Sequence, residues 1–266
     1  MSEPGDRPPR VDPVDRASGA DGERPPVVGL DEPPADRSAW ANARDVFVAP
    51  SRTFRDVRED PRILPPLLFL VAAGALAMTF VMVVTGPPDA MERMLEDAGL
   101  PGGSFGTVAI TFFAVVSVAI TAPLVSALVA SLLWAWSTLR DGVTTFAVAF
   151  AAILWSRLVG MLETAANGIA MHAVDRGLSG VTIGPSLVVP PDQVSGPLYG
   201  ALMHLNVFSI WVAVLTAWAG IHAMGLERRD AWLFAVVLWT IGLVFAMLGA
   251  TMGGMEPTPA PSGPSL

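Results

Sequence analysis

Residues 64–85 read LPPLLFLVAAGALAMTFVMVVT, an apolar run without one charged side chain. At about 1.5 Å of rise per helical residue, a run of roughly twenty residues crosses the ~30 Å hydrocarbon core of a bilayer. Lipid offers no partner to an unpaired backbone N–H or C=O, so a crossing segment of this length has to be a helix. Pro65 and Pro66 sit in its opening turn, where a missing amide donor costs little.

Further apolar runs follow. Phe105 to Leu139 is longer than one crossing needs, so the second span is placed at about 107–133, with tilt, a kink at Pro123 or an emergent turn absorbing the excess. Arg140-Asp141-Gly142 turns the chain into a third span at about 143–160, and a fourth is expected at about 198–223. Glu227-Arg228-Arg229-Asp230 leads into a fifth at about 231–252. The expected fold is all-α: an integral membrane bundle of five transmembrane helices over residues 64–253, preceded by an amphipathic interfacial segment at 39–63. Residues 1–38 carry eight prolines among many acids and arginines and almost no large apolar side chain, too little to offset the entropy of ordering, so a disordered tail is expected there. The proline-rich stretch 254–266 reads the same way. No apolar run precedes Leu64, so the N-terminal tail is expected to stay on the chain.

Composition narrows the function classes. With 52% hydrophobic and 15% charged residues, the chain is richer in apolar side chains than a soluble core needs. It has no cysteine, which excludes disulfides, thiolate metal sites and a cysteine nucleophile. Its basic residues are all arginine, a usage that suggests a GC-rich bacterial coding sequence. The net charge of −8 comes largely from the N-terminal tail, and no basic footprint for nucleic acid is visible.

Arginines near the span ends set the expected orientation, because basic residues are retained on the cytoplasmic side. They cluster from Arg44 to Arg62, recur at Arg140, and recur again at Arg228 and Arg229. The loop with Asp89, Glu92, Glu96 and Asp97 carries only Arg93, and the long loop 161–197 only Arg176. The N-terminus is therefore expected in the cytoplasm and the C-terminus outside the cell membrane. Trp134, Trp136, Trp218 and Trp232 fall near the boundaries assigned to the cytoplasm, where amphipathic rings prefer to sit.

Candidate site residues form two groups. From Pro50 to Pro61, Phe54 and Val57 alternate with Arg52, Arg55 and Arg58, with Arg62 just beyond; this predicts a short helix whose aromatic side faces lipid and whose arginines face anionic headgroups. The second group concerns helix packing, for which small residues are the signal in lipid. Gly242, Ala246 and Ala250 recur at four-residue spacing, with Gly249 and Gly253 on a neighbouring stripe; Ala73 with Ala77 and Ala213 with Ala217 repeat the pattern. These stripes read as contacts within one chain, against self-association or a partner helix. Arg157 is expected to snorkel or to pair with Glu163, and His204 to bond a neighbouring helix rather than a metal. Gly177-Leu178-Ser179-Gly180 is similar to the serine motif of rhomboid intramembrane proteases, but Gly184, Pro185, Pro190 and Pro191 put it in a loop instead of a helix start.

The chain resembles the Yip family, multi-spanning proteins first known as interactors of Ypt/Rab GTPases, from about Trp40 to Met252. Two stretches carry the likeness. Val46-Phe47-Val48-Ala49-Pro50-Ser51-Arg52-Thr53-Phe54 looks like the family's bacterial pre-membrane segment. Asn206-Val207-Phe208-Ser209-Ile210-Trp211, followed by Gly220-Ile221, is similar to its aspartate-apolar-phenylalanine-x-x-tryptophan element. Asn206 stands where many relatives carry aspartate, Ser156-Arg157 where relatives often place a proline, and the DLYGP-like N-terminal element of eukaryotic members is missing. The resemblance implies five spans and a cytosolic N-terminus, and it puts Asn206, Phe208, Trp211 and Gly220 among the packing or partner-binding residues.

Together these readings favour a non-enzymatic membrane protein that scaffolds or organises membrane through helix packing and partner binding. Its expected partners are the bilayer and either other membrane proteins or a second copy, with no cofactor, metal or nucleic acid. A small-solute transporter or channel is the alternative, hinted at by His204, Asn206 and Pro123, and a rhomboid-like serine protease is the remote one.

Overall fold

The computed structural model describes residues 38–85, 99, 104–142, 144–173, 182–189 and 194–252. Apart from Ser38, the two tails expected to be disordered lie outside these residues, as do the Gly177–Gly180 motif and Gly253. The described chain folds into α1 (Ala39–Val48), α2 (Pro50–Glu59), α3 (Leu64–Thr85), α4 (Ser104–Leu139), α5 (Phe146–Ala173), α6 (Gly196–His204), α7 (Val207–His222) and α8 (Arg228–Met252). A single 3-10 turn at Pro185–Leu187 precedes α6, and no strand occurs among the described residues.

Helices α3, α4, α5 and α8 are each long and apolar enough to cross a membrane. The pair α6 and α7, bent by 57° at a short break, supplies a fifth crossing when taken as one span. A continuous fourth helix over 198–223 is thus not what forms. The chain leaves helical geometry at Leu205 and Asn206, and Asn206 turns from a helix-interior residue into the N-cap of α7. Asparagine competes poorly for helix interiors and well for caps, because its carbonyl oxygen can take an orphan amide.

Two other helices outrun their sequence boundaries. Helix α5 continues past residue 160 to Ala173, since Glu163 and Asn167 find partners on other elements and need not leave the membrane. Helix α4 runs unbroken through Pro123 for 36 residues. That is about 54 Å at 1.5 Å per residue, so it has to tilt or project beyond the hydrocarbon.

The core sits on α5, which packs against α1, α2, α3, α4 and α7. Ala149, Ala151 and Ala152 are fully buried there, and such small side chains let helices close in from several sides. Phe112, Phe113 and Leu128 on α4, and Val236 and Phe245 on α8, point outward and exposed. Water would penalise so broad an apolar exterior, whereas acyl chains do not.

Close approach explains the packing of α8. A Cβ on Gly200 of α6 would come within 2.9 Å of the Ala250 Cβ and run into the Ala246 carbonyl. A Cβ on Gly242 would lie 3.0 Å from Cε1 of His204, and one on Gly220 of α7 2.9 Å from the Ala231 Cβ. Gly249, on the neighbouring stripe, faces open space. Gly200→Ala should therefore destabilise the protein by about 1–3 kcal/mol through overpacking, seen as a lower melting temperature in detergent. Gly249→Ala should leave it unchanged or raise it slightly by helix propensity. Equal melting of Gly200→Ala and the wild type would refute the close contact.

Candidate functional site

Two polar places stand out in a bundle otherwise built from apolar side chains: the break between α6 and α7, and the arginine-bearing end.

At the break, backbone groups released from the helical ladder need partners inside a membrane-spanning region. Asn206 supplies several at once. Its Oδ1 accepts from the Ser209 amide at 2.8 Å, and its Nδ2 donates to the Met203 carbonyl at 3.0 Å and to Glu163 Oε1 of α5 at 2.8 Å. The Ser209 hydroxyl closes back onto the carbonyls of His204 and Asn206. Trp239 of α8 donates from Nε1 to Ser209 Oγ at 3.4 Å, while His204 Nε2 donates to the Trp239 carbonyl at 3.2 Å, with the two rings 5.1 Å apart.

The segment 182–188 covers the same joint. Thr182 Oγ1 donates to the Met203 carbonyl at 3.1 Å, and the Ile183 amide donates to Asn167 Oδ1 at 2.8 Å. Gly184 lies so close to the break that a Cβ there would meet the Leu205 carbonyl at 2.8 Å. Asn206 is thus a cap and a cross-link between helices rather than a residue within a helix. Glu163 is taken up by Asn206, and Arg157, half-buried on α5, has no ion-pair partner among the described residues. Phe208 and Trp211, at the start of α7, are partly buried against the core, Trp211 with its ring 6.5 Å from that of Trp218. Sequence reasoning missed Ser209, Trp239, Asn167 and Thr182. The spacing of Asn206 and Ser209, cap and third helical position, was the available signal.

The second place begins with α1, whose N-terminus is capped by Ser38 Oγ accepting from the Ala41 amide at 3.3 Å. Pro50 opens α2. Pro50, Thr53, Phe54 and Val57 make one buried stripe of α2, which docks on α5 and α7. The aromatic side therefore faces the protein instead of the lipid expected from the sequence; α5 and α7 offer Phe54 a fully buried seat. Arg52, Arg55 and Arg58 stand exposed on the opposite side, and Arg62 just beyond α2 pairs with Asp60.

Arg58 lies over the turn between α7 and α8: its guanidinium comes within 3.2 Å of where a Cβ on Gly225 would stand. Gly225 has φ +71, a left-handed conformation that glycine adopts without strain. The turn before α5 reaches the same end, where Arg140 Nη2 is 3.8 Å from Asp230 Oδ1 and its guanidinium lies 5.1 Å over the Trp136 ring. Arginine-bearing segments far apart in sequence are thereby gathered at one end of the bundle.

These two places lie within a recognised family unit. The Yip1 domain model matches residues 44–249, most of the chain and nearly all of the described bundle. The chain belongs to the Yip1 domain family, and with its apolar helices it is a membrane protein. It is also similar to membrane protein YknW of Bacillus subtilis, with 27% identity over 213 residues that cover 79% of this chain and 90% of the relative. No solved structure matches it.

The joint yields a pair of expected outcomes. Asn206→Leu removes a helix cap and the donor to Glu163, and should cost about 1–3 kcal/mol, measured as a drop in melting temperature in detergent. Glu163→Gln keeps an oxygen that can accept from Asn206 Nδ2 and should stay near the wild type, whereas Glu163→Leu should fall with Asn206→Leu. If the glutamine and leucine variants melt together, the hydrogen bond is not what Glu163 contributes.

Proposed function

We propose that the protein is a non-catalytic membrane scaffold whose arginine-bearing end reads the anionic surface of the cytoplasmic leaflet, while its outer helical faces serve for assembly with other membrane components. The observation that carries this reading is the docking of α2, with Phe54 and Val57 held by the bundle, Arg52 and Arg55 exposed away from it, and Arg58 exposed over the turn between α7 and α8. Basic side chains fixed at a membrane boundary attract anionic headgroups, each contributing about 1 kcal/mol near the surface.

The gathering of Arg58, Arg140, Arg228 and Arg229 where the first, third and fifth crossings begin supports an inner-membrane orientation with the N-terminal segment in the cytoplasm. On that orientation, and with α6 and α7 as one crossing, the C-terminal end of α8 lies outside. The polar groups around Asn206 are engaged with one another, the arrangement of a structural joint and not of a transport path.

Reconstituted in nanodiscs, the full-length protein should melt several degrees higher in phosphatidylglycerol than in phosphatidylcholine, and the difference should shrink in high salt as surface attraction is screened. Combined Arg52→Glu, Arg55→Glu and Arg58→Glu should remove more than half of it. An undiminished difference in the triple variant would end the surface-reading proposal.

A further inference from the structure

A groove of about 540 Å³ runs between α1, α3 and α5. Along α3 its wall is Phe69, Ala73 and Phe80, and along α5 it is Leu158 and Ala165. Both helices are membrane-crossing candidates over these residues, so the medium against the groove is hydrocarbon. An unfilled apolar slot in such a medium forfeits dispersion contacts on every wall, and acyl chains are what the medium has to offer.

Length and chemistry narrow the occupant. From Phe69 to Phe80 the α3 wall extends about 16 Å, near half of a ~30 Å hydrocarbon core and thus one leaflet deep. The far end is lined by apolar side chains such as Phe80 and Ala165, while the near end belongs to α1. There Trp40, 74% exposed, meets Phe69 edge to face with ring centroids 4.9 Å apart, an amphipathic ring of the kind that favours the headgroup region.

Beside it Arg44 contributes the one charged side chain of the lining. Its Nε and Nη2 both donate to Asp45 Oδ1, at 3.1 and 2.9 Å. Asp45 is buried with its carboxylate turned inward, whereas the Arg44 side chain is 75% exposed, so an approaching headgroup meets the guanidinium first. Among the described residues Nη1 has no acceptor, which leaves it for a phosphate oxygen.

We propose that this groove is a binding site for one anionic phospholipid, drawn from the leaflet on the α1 side, with an acyl chain between α3 and α5 and its phosphate on Arg44. The site is separate from the arginine stripe of α2 and does not rest on the scaffold reading.

The test is native mass spectrometry of the full-length protein in detergent, titrated with phosphatidylglycerol or phosphatidylcholine. The wild type should retain one phosphatidylglycerol in preference to phosphatidylcholine. Ala73→Trp should abolish that adduct by filling the slot, while Ala72→Trp, on the exposed neighbouring face of α3, should keep it. Arg44→Ala should lower the retention of phosphatidylglycerol about tenfold, the worth of one charge-assisted hydrogen bond to its phosphate.

Because the chain has no cysteine, Ala73→Cys provides a unique handle that needs no bulky residue during folding. Benzyl methanethiosulfonate added to the folded Ala73→Cys protein should displace the bound lipid. An adduct that survives Ala73→Trp and the thiol block, or that vanishes equally in Ala72→Trp, would overturn the site. So would an equal affinity for the two lipids in the wild type, or disulfide-linked dimers through Ala73→Cys, which would assign the groove to a second copy.

Discussion

Hydrocarbon will not hydrogen-bond a peptide group, and the break between α6 and α7 is where that constraint is hardest to meet. The protein answers it with one short amide side chain. Asn206 caps α7, takes up the last turn of α6 through the Met203 carbonyl, and ties both to α5 through Glu163. The geometry demands a donor and an acceptor on one planar group: the oxygen serves the Ser209 amide while the nitrogen serves Met203 and Glu163. A leucine of similar size could fill the space, but it would leave an orphan amide, an orphan carbonyl and a carboxyl group without its partner.

The rest of the bundle is arranged around this joint. Because α6 and α7 differ in direction by 57°, one straight helix cannot follow both with ordinary side chains between. Helix α8 manages it by approaching each segment through small residues: Gly200 against Ala246 and Ala250 on the α6 side, Gly220 against Ala231 on the α7 side. Between these contacts the His204 ring sits over Gly242 and against Trp239, so α8 is fastened to the break itself. Helix α5 closes the other side, and its run of buried alanines lets α3 and α7 pack onto the helix that carries Glu163.

The sequence made the membrane crossings legible because their signal is local: twenty or so apolar residues without charge mean the same thing in any tertiary setting. It also drew attention to Asn206 through the Asn206–Trp211 element, without showing what the residue does. The bend itself was not legible, because Leu198 to Ala223 is apolar enough to pass as one span, and what interrupts it depends on Glu163, Asn167 and Thr182 arriving from elsewhere in the chain. The same limit applies to α2. Periodicity showed an apolar stripe at Pro50, Phe54 and Val57 opposite Arg52, Arg55 and Arg58, but an amphipathic pattern reads alike whether its apolar side meets lipid or protein. Only the seat that α5 and α7 offer Phe54 decides between them. Likewise Gly242, Ala246 and Ala250 were visible as a stripe, while Gly200, the residue that requires the close approach, was signalled only by Gly196 at the same four-residue spacing, a pair the sequence reading passed over.

Docking of α2 changes what its arginines can do. A helix of ten residues is marginal alone in water, since nucleation costs more than its few hydrogen bonds return. Free at an interface, such a segment would rotate and fray, and its charges would average over many orientations. Held by Phe54 and Val57, with Arg58 laid over Gly225 in the turn that joins α7 to α8, the stripe has one orientation relative to the bundle. The ordering entropy is then met by folding of the bundle and not by headgroup binding. On the proposed reading, surface attraction belongs to the folded protein, because α2 is held in place by packing on α5 and α7.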